Sequence, residues 1–176
     1  NFIVNDIAGP QASIAALQNV TCYGISNGSA SVSLLGGTSP FNYAWTCSPQ
    51  NNSSVANLSP GAYSVLVTDA NNCTATIPFA ITQPTELISS ASSTNVNCFG
   101  GNNGTATIVG SGGTSPYQYL WAHDLSTNST SSGLSAGSYQ AIITDANGCT
   151  SSSSITIAQP SALNLSATSL PSYCGN

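Results

Sequence analysis

Residues 58–73 read LSPGAYSVLVTDANNC, and residues 134–149 repeat this pattern as LSAGSYQAIITDANGC. The opening L-x-x-G-x-Y is the sequence form of a tyrosine corner, where the glycine turns the chain and the tyrosine hydroxyl bonds back to the backbone. Tyr63, Val65 and Val67 then alternate with other residues at the period of a β-strand. A turn of Asp, Ala and Asn follows, and then a cysteine. The stretch therefore predicts a strand that ends in a hairpin within an antiparallel β-sandwich.

The two copies belong to a longer internal repeat with a period of 76 residues. Residues 20–84 align with residues 96–160 without a gap, and 28 of the 65 aligned pairs are identical. The segment GGTSP, for example, occurs at both 36–40 and 112–116. A fixed period of this kind predicts an array of similar units.

The period also predicts the boundaries of the units. We expect residues 1–10 to end a preceding repeat, 11–84 and 85–160 to form two complete repeats, and 161–176 to begin a following repeat. The N-terminus lacks the basic region of a signal peptide, which fits an internal piece or a signal already removed. The linker ITQPTEL at 81–87 is short, so a stiff or semi-stiff rod of stacked repeats is expected.

Further alternating runs predict more short strands, and no stretch has helical periodicity. A tryptophan lies on the third predicted strand of each repeat, where it can fill the core between two sheets. We interpret the chain as tandem Ig-like antiparallel β-sandwich repeats, in preference to a generic sandwich whose aromatic residues only fill the core. The signature residues are Trp45, Trp121, Tyr63, Tyr139, Gly61 and Gly137.

The composition excludes several functions. The chain has no Lys or Arg and a net charge of −5. Apart from one possible imidazolium it has no cationic side chain to neutralise phosphates, so nucleic-acid binding is not expected. A Walker lysine and a Schiff-base lysine are absent for the same reason. No apolar run approaches membrane-spanning length. Because 40% of the residues are apolar and alternate with polar ones, a folded chain is expected.

The cysteines predict a bridge in each repeat, Cys22–Cys73 and Cys98–Cys149. Six strands per repeat would place the first turn and the last hairpin at the same end of the unit. Seven strands would place them at opposite ends, and the bridges would then be drawn differently, with pairing between neighbouring repeats as one alternative. Paired cysteines indicate an oxidising, extracytoplasmic location.

Two cysteines have no predicted partner within the chain. Cys174 would begin a following repeat, and its partner would lie downstream. Cys47 has no counterpart in the second repeat, where His123 takes its place. We interpret Cys47 as a small buried thiol, with a cross-link to another chain or to an accessory strand as the alternative.

Candidate chemistry is sparse, and neither an enzyme nor a cofactor is expected. His123 is the only histidine, and one histidine beside Asp124 does not make a catalytic triad. The recurring Asp69 and Asp145 could contribute to a calcium site, but Ca²⁺ takes six to eight oxygen ligands. We favour hairpin turns in which each aspartate caps its own backbone. The five acidic residues are dispersed along the sequence: Asp6, Asp69, Glu86, Asp124 and Asp145.

The combined pattern is specific. C-x-G-x-x-N-G-x-A is followed by GGTSP-[FY]-x-Y-x-W, then by L-S-x-G-x-Y, T-D-A-N-x-C-T and Q-P. It resembles the SprB-type repeat of very large surface adhesins of Bacteroidota, including those of gliding motility. The resemblance covers both complete repeats and implies an extracellular, β-rich adhesin exported by a type IX system. Cys47 departs from the family pattern.

Three functions fit this resemblance. The first is a structural stalk or filament that displays adhesive parts for surface attachment or gliding. The second is a binding module whose repeats contact glycans or another surface directly. The third is a self-assembling extracellular fibre in which chains share edge strands. The expected partners are neighbouring repeats, other copies in a filament and surface glycans, with no nucleic acid and no membrane insertion.

Overall fold

The computed structural model describes residues 9–168, which form strands, turns and bends without a helix. Each repeat contributes six strands. In the first repeat they are β1 (Gln11–Gln18), β2 (Gly28–Leu35), β3 (Asn42–Trp45), β4 (Ser54–Leu58), β5 (Gly61–Thr68) and β6 (Thr74–Ile81). In the second they are β7 (Ile88–Thr94), β8 (Gly104–Ser111), β9 (Gln118–Trp121), β10 (Thr130–Leu134), β11 (Gly137–Thr144) and β12 (Thr150–Ile157).

Alternating side chains explain why these segments form strands. In β2 the buried Ala30 and Val32 alternate with serines, and in β5 the fully buried Val65 and Val67 flank the more exposed Leu66. A strand places successive side chains on opposite faces, so each strand turns one apolar row inward. The predicted period-two patterns are therefore confirmed.

The strands of each repeat form two three-stranded antiparallel sheets. The orders are β1-β2-β4 and β3-β5-β6 in the first repeat, with β7-β8-β10 and β9-β11-β12 in the second. In an Ig constant-type sandwich, strands ABED form one sheet and strands CFG the other. The first-repeat sheets match A-B-E and C-F-G, with strand D missing. The predicted all-β, Ig-like class is thus confirmed, with six strands in each repeat.

Without strand D, successive strands no longer alternate in direction along the chain. Strand β4 is antiparallel to β2, and β5 is antiparallel to β3. The end of β5 lies beside the end of β2, because the backbone N–H of Ala70 donates to the Thr38 carbonyl at 2.9 Å. Strands β3 and β4 therefore run in the same direction, and residues 46–53 return the chain between them.

The described residues divide into two compact units. The first contains the residues up to Ile88 together with Ser111–Tyr117 and Thr144–Thr150, and the second contains the remainder. Buried apolar residues form the core of the first unit: Val20, Ala30, Val32, Trp45, Val55, Leu58, Val65, Val67 and Ile81. In the second unit the largest fully buried side chains are Trp121, Ile108, Ile143 and Ile157.

Some predictions lie outside the described residues. Asp6 and Cys174 are among them, and the partial repeats at 1–10 and 161–176 are described only from residue 9 and up to residue 168. The proposed repeat boundaries stay predictions.

Candidate functional site

The two TDAN turns are built by their buried aspartates. Asp69 Oδ1 accepts hydrogen bonds from the backbone N–H groups of Asn71 and Cys73, both at 2.9 Å, and its Oδ2 accepts from Thr38 at 3.1 Å. The residue before the cysteine has a positive φ, 64° at Asn72 and 82° at Gly148. The predicted turn, in which the aspartate caps its own backbone, is confirmed.

Asp145 makes the same three bonds in the second repeat. Its Oδ1 accepts from Asn147 and Cys149 at 2.9 Å, and its Oδ2 accepts from Thr114, also at 2.9 Å. Thr114 belongs to the second GGTSP segment, which the sequence marked as a repeat but not as a partner of the turn. Gly113 next to it has a φ of +57°, and a Cβ there would lie 2.7 Å from Asp145 Oδ2. The close approach requires glycine.

These donors set the charge state of the turns. Burial raises the pKa of both carboxyls, but the backbone N–H donors of Cys73 and Thr38 at Asp69, and of Thr114 and Cys149 at Asp145, outweigh it. The pKa of each aspartate therefore lies below its usual value.

The same donor set does not suit a calcium ion. Both oxygens of each aspartate face backbone N–H groups, whose positive ends would repel a cation. Within residues 9–168 there is also no group of three or more His, Cys, Asp or Glu side chains arranged to hold a metal ion. We therefore assign Asp69 and Asp145 to turn formation.

The cysteine pairing differs from the prediction. Cys22 bonds to Cys149, 127 residues away in sequence and 5.7 Å away between Cα atoms, so the predicted pairs Cys22–Cys73 and Cys98–Cys149 are wrong. Both bonded cysteines lie in the first compact unit. Because Cys22 follows β1 and Cys149 lies between β11 and β12, the bridge joins the first turn of one sequence repeat to the last hairpin of the next.

The missing strand D explains this error. A Cβ built on Gly9, just before β1, would lie 3.0 Å from the Cβ of Cys73, whereas Cys22 follows the far end of β1. A strand of eight residues spans about 26 Å, far beyond the Cα separation of a disulfide. The predicted pairs required successive strands to alternate in direction, and β3 and β4 do not alternate.

Further contacts surround the bridge. The Asn147 side-chain amide donates to the Thr21 carbonyl at 3.0 Å and to Thr114 Oγ1 at 3.0 Å. Cys149 Sγ lies 3.5 Å from the same Thr21 carbonyl oxygen. Asn147 is identical in both repeats, which is the only sequence signal that could have singled it out.

Three cysteines in the described part of the chain are free: Cys47, Cys73 and Cys98. The expectation that Cys47 is buried is wrong, because its side chain is exposed in the turn after β3. Cys98 is also exposed, and Cys73 is half-buried.

His123 lies in a small polar cluster rather than a triad. Its Nε2 is 3.3 Å from Ser131 Oγ and 3.4 Å from Asp124 Oδ2. A triad needs the serine and the carboxylate on different ring nitrogens, whereas here both approach one nitrogen. Ser131 is also buried, at 5% exposure, which closes its hydroxyl to a substrate. The sequence did not single out Ser131.

The signature aromatic residues occupy the predicted places. Trp45 and Trp121 are buried, and their indole N–H groups donate to the carbonyls of Asn52 and Asn128 at 2.9 Å. The Tyr63 hydroxyl donates to the Ser59 carbonyl at 2.8 Å, as a tyrosine corner requires. Tyr139 makes the same bond to Ser135 at 3.0 Å, and Gly61 and Gly137 begin the two strands.

Two aromatic residues at equivalent positions point outward. Tyr23 and Phe99 follow the first-turn cysteines of the two repeats, and they are 51% and 59% exposed. This pair was not singled out by the sequence analysis. No helix formed by residues 9–168 has the length and apolar character to cross a membrane.

The strand order, the tyrosine corner and the buried tryptophans define a protein built from Ig-like β-sandwich repeats, with a disulfide that connects successive sequence repeats. The predicted family is confirmed. Residues 14–53 and 90–123 match the SprB repeat family model, which supports SprB-type repeats in these two segments. A search of curated protein sequences finds no match.

Several solved structures are similar in fold. A C-terminal fragment of intimin, in complex with the intimin-binding domain of its translocated receptor, is 12% identical with a TM-score of 0.45. The match covers 85% of this chain and 64% of the fragment, so the chain spans less than two thirds of that structure. Fibronectin(III)-like modules of Clostridium thermocellum CbhA are 14% identical, with 85% and 95% coverage and a TM-score of 0.34. The two Ig domains of DIP-gamma are 12% identical, with 86% and 98% coverage and a TM-score of 0.39.

Proposed function

We propose that this chain is a stalk segment of a large, repetitive extracellular adhesin, which carries tension and holds adhesive parts away from a cell surface. The observation that carries the proposal is the Cys22–Cys149 bond. When the two ends of the chain are pulled, tension passes from residue 22 to residue 149 through this bond. Residues 23–148 are then shielded from the force.

The disulfide, the family match and the composition support an extracellular role. Disulfides persist in oxidising compartments outside the cytoplasm, and the family match is to a repeat of cell-surface adhesins. The neutral polar surface and the net charge of −5 favour solubility over attraction to anionic surfaces. In this role the main partners are neighbouring repeats, and the export route and gliding function implied by the SprB resemblance belong to the same proposal.

Single-molecule pulling of the chain by its termini tests the stalk. Without reductant, the loop of residues 23–148 should not extend even when the chain is fully unfolded, because the Cys22–Cys149 bond closes it. Addition of dithiothreitol should lengthen the fully extended chain by about 440 Å, at roughly 3.5 Å for each released residue. The Cys22→Ser/Cys149→Ser variant should give the longer extension without reductant, and Cys47→Ser should behave as the parent chain. Equal extensions with and without reductant would remove the basis of the proposal.

The exposed Tyr23 and Phe99 favour a second candidate, in which each repeat binds glycans directly. Aromatic faces are frequent platforms for ligands, and this pair is repeated at the period of the array. A glycan array probed with the chain separates the two functions. A stalk gives no saturable binding, whereas a binding module gives binding that Tyr23→Ser/Phe99→Ser abolishes and Cys47→Ser leaves unchanged.

A further inference from the structure

Two of the free thiols occupy positions that are bonded elsewhere in the same chain. Cys73 lies one 76-residue period before the bonded Cys149, and Cys98 lies one period after the bonded Cys22. Each repeat thus carries both kinds of cysteine, and only one of each kind is paired in the structure.

The hairpin around Cys73 has the same local hydrogen bonds as the hairpin around the bonded Cys149. The Cys73 backbone N–H donates to Asp69 Oδ1 at 2.9 Å, and the Asn71 amide donates to a threonine hydroxyl at 2.8 Å. Asn147, the counterpart of Asn71, uses its amide group for both a threonine hydroxyl and the Thr21 carbonyl beside the bridge. Asn71 has the same donors for the equivalent carbonyl of another copy.

The turn around Cys98 repeats the turn around Cys22. Asn103 Oδ1 accepts the backbone N–H of Asn97 at 3.1 Å, and Asn27 accepts that of Thr21 at the same distance. The Asn97 carbonyl therefore takes the place of the Thr21 carbonyl that receives Asn147 at the formed bridge.

Leu163, just after the second repeat, is an exposed apolar residue with a buried counterpart one period earlier. Leu87 is only 8% exposed, and its side chain lies 3.2 Å from the Cβ position of Gly113 in the loop 111–117. Leu163 lies one period later and is 97% exposed. By the same period, the loop that covers Leu163 belongs to the repeat that Leu163 opens, so the copy that follows the second repeat is expected to begin at this residue.

We propose that Cys98 and Cys73 are the two halves of an inter-repeat disulfide site whose partner is another copy of this repeat. Cys98 bonds to the last-hairpin cysteine of a following copy, and Cys73 bonds to the first-turn cysteine of a preceding copy. Two separate chains are then joined head to tail by a Cys98–Cys73 bond. The inference goes beyond the stalk proposal, because the covalent link does not depend on what the array displays.

The chemistry is thiol–disulfide exchange with an oxidant such as glutathione disulfide or a thiol–disulfide oxidoreductase. The exposed Cys98 thiolate attacks the oxidant and forms a mixed disulfide, which releases one glutathione thiolate. The Cys73 thiolate of the other copy attacks the Cys98 sulfur and releases the second. The two protein thiols lose two electrons and two protons in total, and glutathione disulfide is reduced to two thiols.

Two complementary variants of the full chain test the site, both with Cys47→Ser and Cys174→Ser. One adds Cys73→Ser and keeps Cys98, and the other adds Cys98→Ser and keeps Cys73. They are oxidised in a glutathione buffer, alone and mixed, at about 1 mM chain, which matches the effective concentration given by a short linker. Chymotryptic mass spectrometry identifies the bonds, because a chain without Lys or Arg gives trypsin nothing to cut.

The mixture should yield at least about tenfold more disulfide-linked dimer than either variant alone, through a Cys98–Cys73 peptide. Both variants must retain the Cys22–Cys149 peptide and native tryptophan fluorescence, which shows that they are folded. Folded variants that stay monomeric, or that form Cys98–Cys98 and Cys73–Cys73 dimers as readily, would overturn the proposal. A chain that shows the Cys22–Cys149 peptide but forms no heterodimer contradicts this proposal alone, whereas a chain without that peptide contradicts the stalk proposal as well, so the two failures are distinguishable.

Asn71→Ala in the variant that keeps Cys73 tests the positioning of the hairpin. Loss of the amide donor should slow heterodimer formation severalfold. Asn72→Gly is the matched control on the same turn, because glycine tolerates the positive φ and already occupies the equivalent position 148. Equal rates for Asn71→Ala and its parent would show that the hairpin contact plays no part in bond formation.

Discussion

At the scale of single residues, the aspartates of the two TDAN turns contribute the most local order. Each buried carboxylate accepts three backbone N–H groups, which would otherwise be left without partners in a tight turn. In the second repeat, Asp145 also ties the hairpin that carries Cys149 to the GGTSP segment through Thr114. A residue that composition suggests as a metal ligand therefore positions a cysteine instead.

The first prediction concerns the acid stability of these turns. Because the folded pKa of both aspartates is depressed, the stabilisation is complete above the unfolded pKa of about 3.9 and is lost as the pH falls through the folded pKa. Asp69→Asn/Asp145→Asn should lower the melting temperature at neutral pH, because an amide cannot accept all three donors. It should also flatten the fall in melting temperature below about pH 4.

Thermal melts followed by circular dichroism across this pH range measure the effect. Glu86→Gln changes an exposed carboxylate and serves as the control, with a pH profile like that of the parent chain. A double variant that keeps the parent's steep acid transition would contradict the assignment of that transition to the two turns.

At the scale of elements, strand pairing and burial follow the alternation of the sequence. Strand β8 has the fully buried Ala106 and Ile108 on its inner face, while Val109 beside them is 55% exposed. The same strand type recurs as β2, with Ala30 and Val32 inward. A simple pattern of small and branched residues is thus sufficient to form the central strand of each A-B-E sheet.

The second prediction compares two neighbours on β8. Ile108→Ala should reduce the free energy of unfolding by about 2–5 kcal/mol, because it removes buried methyl groups and leaves a cavity. Val109→Ala, on the exposed face of the same strand, should change it by less than about 0.5 kcal/mol. Urea unfolding followed by tryptophan fluorescence gives both values. Equal losses for the two variants would show that β8 does not turn Ile108 inward.

At the scale of the whole molecule, the Cys22–Cys149 bond makes a large contribution to the free energy of unfolding. Cys22 and Cys149 enclose most of the chain, including every strand from β2 to β11. Closing so long a loop restricts the unfolded chain, and the loop-entropy model assigns about 5 kcal/mol to it. For repeats with small cores, such a bond is a large share of the total stability.

The third prediction follows from this loop. Cys22→Ser/Cys149→Ser should lose about 5 kcal/mol of unfolding free energy, and the parent chain in dithiothreitol should unfold at the same urea concentration as the variant. Cys47→Ser replaces an exposed free thiol and should leave the midpoint within error of the parent. A double variant as stable as Cys47→Ser would mean that the bond contributes nothing to folding.

Local sequence signals were enough to identify the class of the protein. Strand period, the L-x-x-G-x-Y corner, Trp45 and the 76-residue repeat predicted six-stranded Ig-like units and the SprB family, because these signals depend on residues close together in the chain or on a simple period. The aspartate turns were also predictable, since most of their hydrogen bonds span only two to four residues.

The pairing of the cysteines, in contrast, depends on how the strands are arranged in space. Cys22 could be paired correctly only by knowing that strand D is absent, that β3 and β4 run the same way, and that the hairpin of Cys73 lies at the far end of its unit. The exposure of Cys47 and the approach of Ser131 to His123 could not be predicted from the sequence for the same reason. Local patterns fix which residues face inward, but they carry no information on the direction in which a chain returns between two sheets.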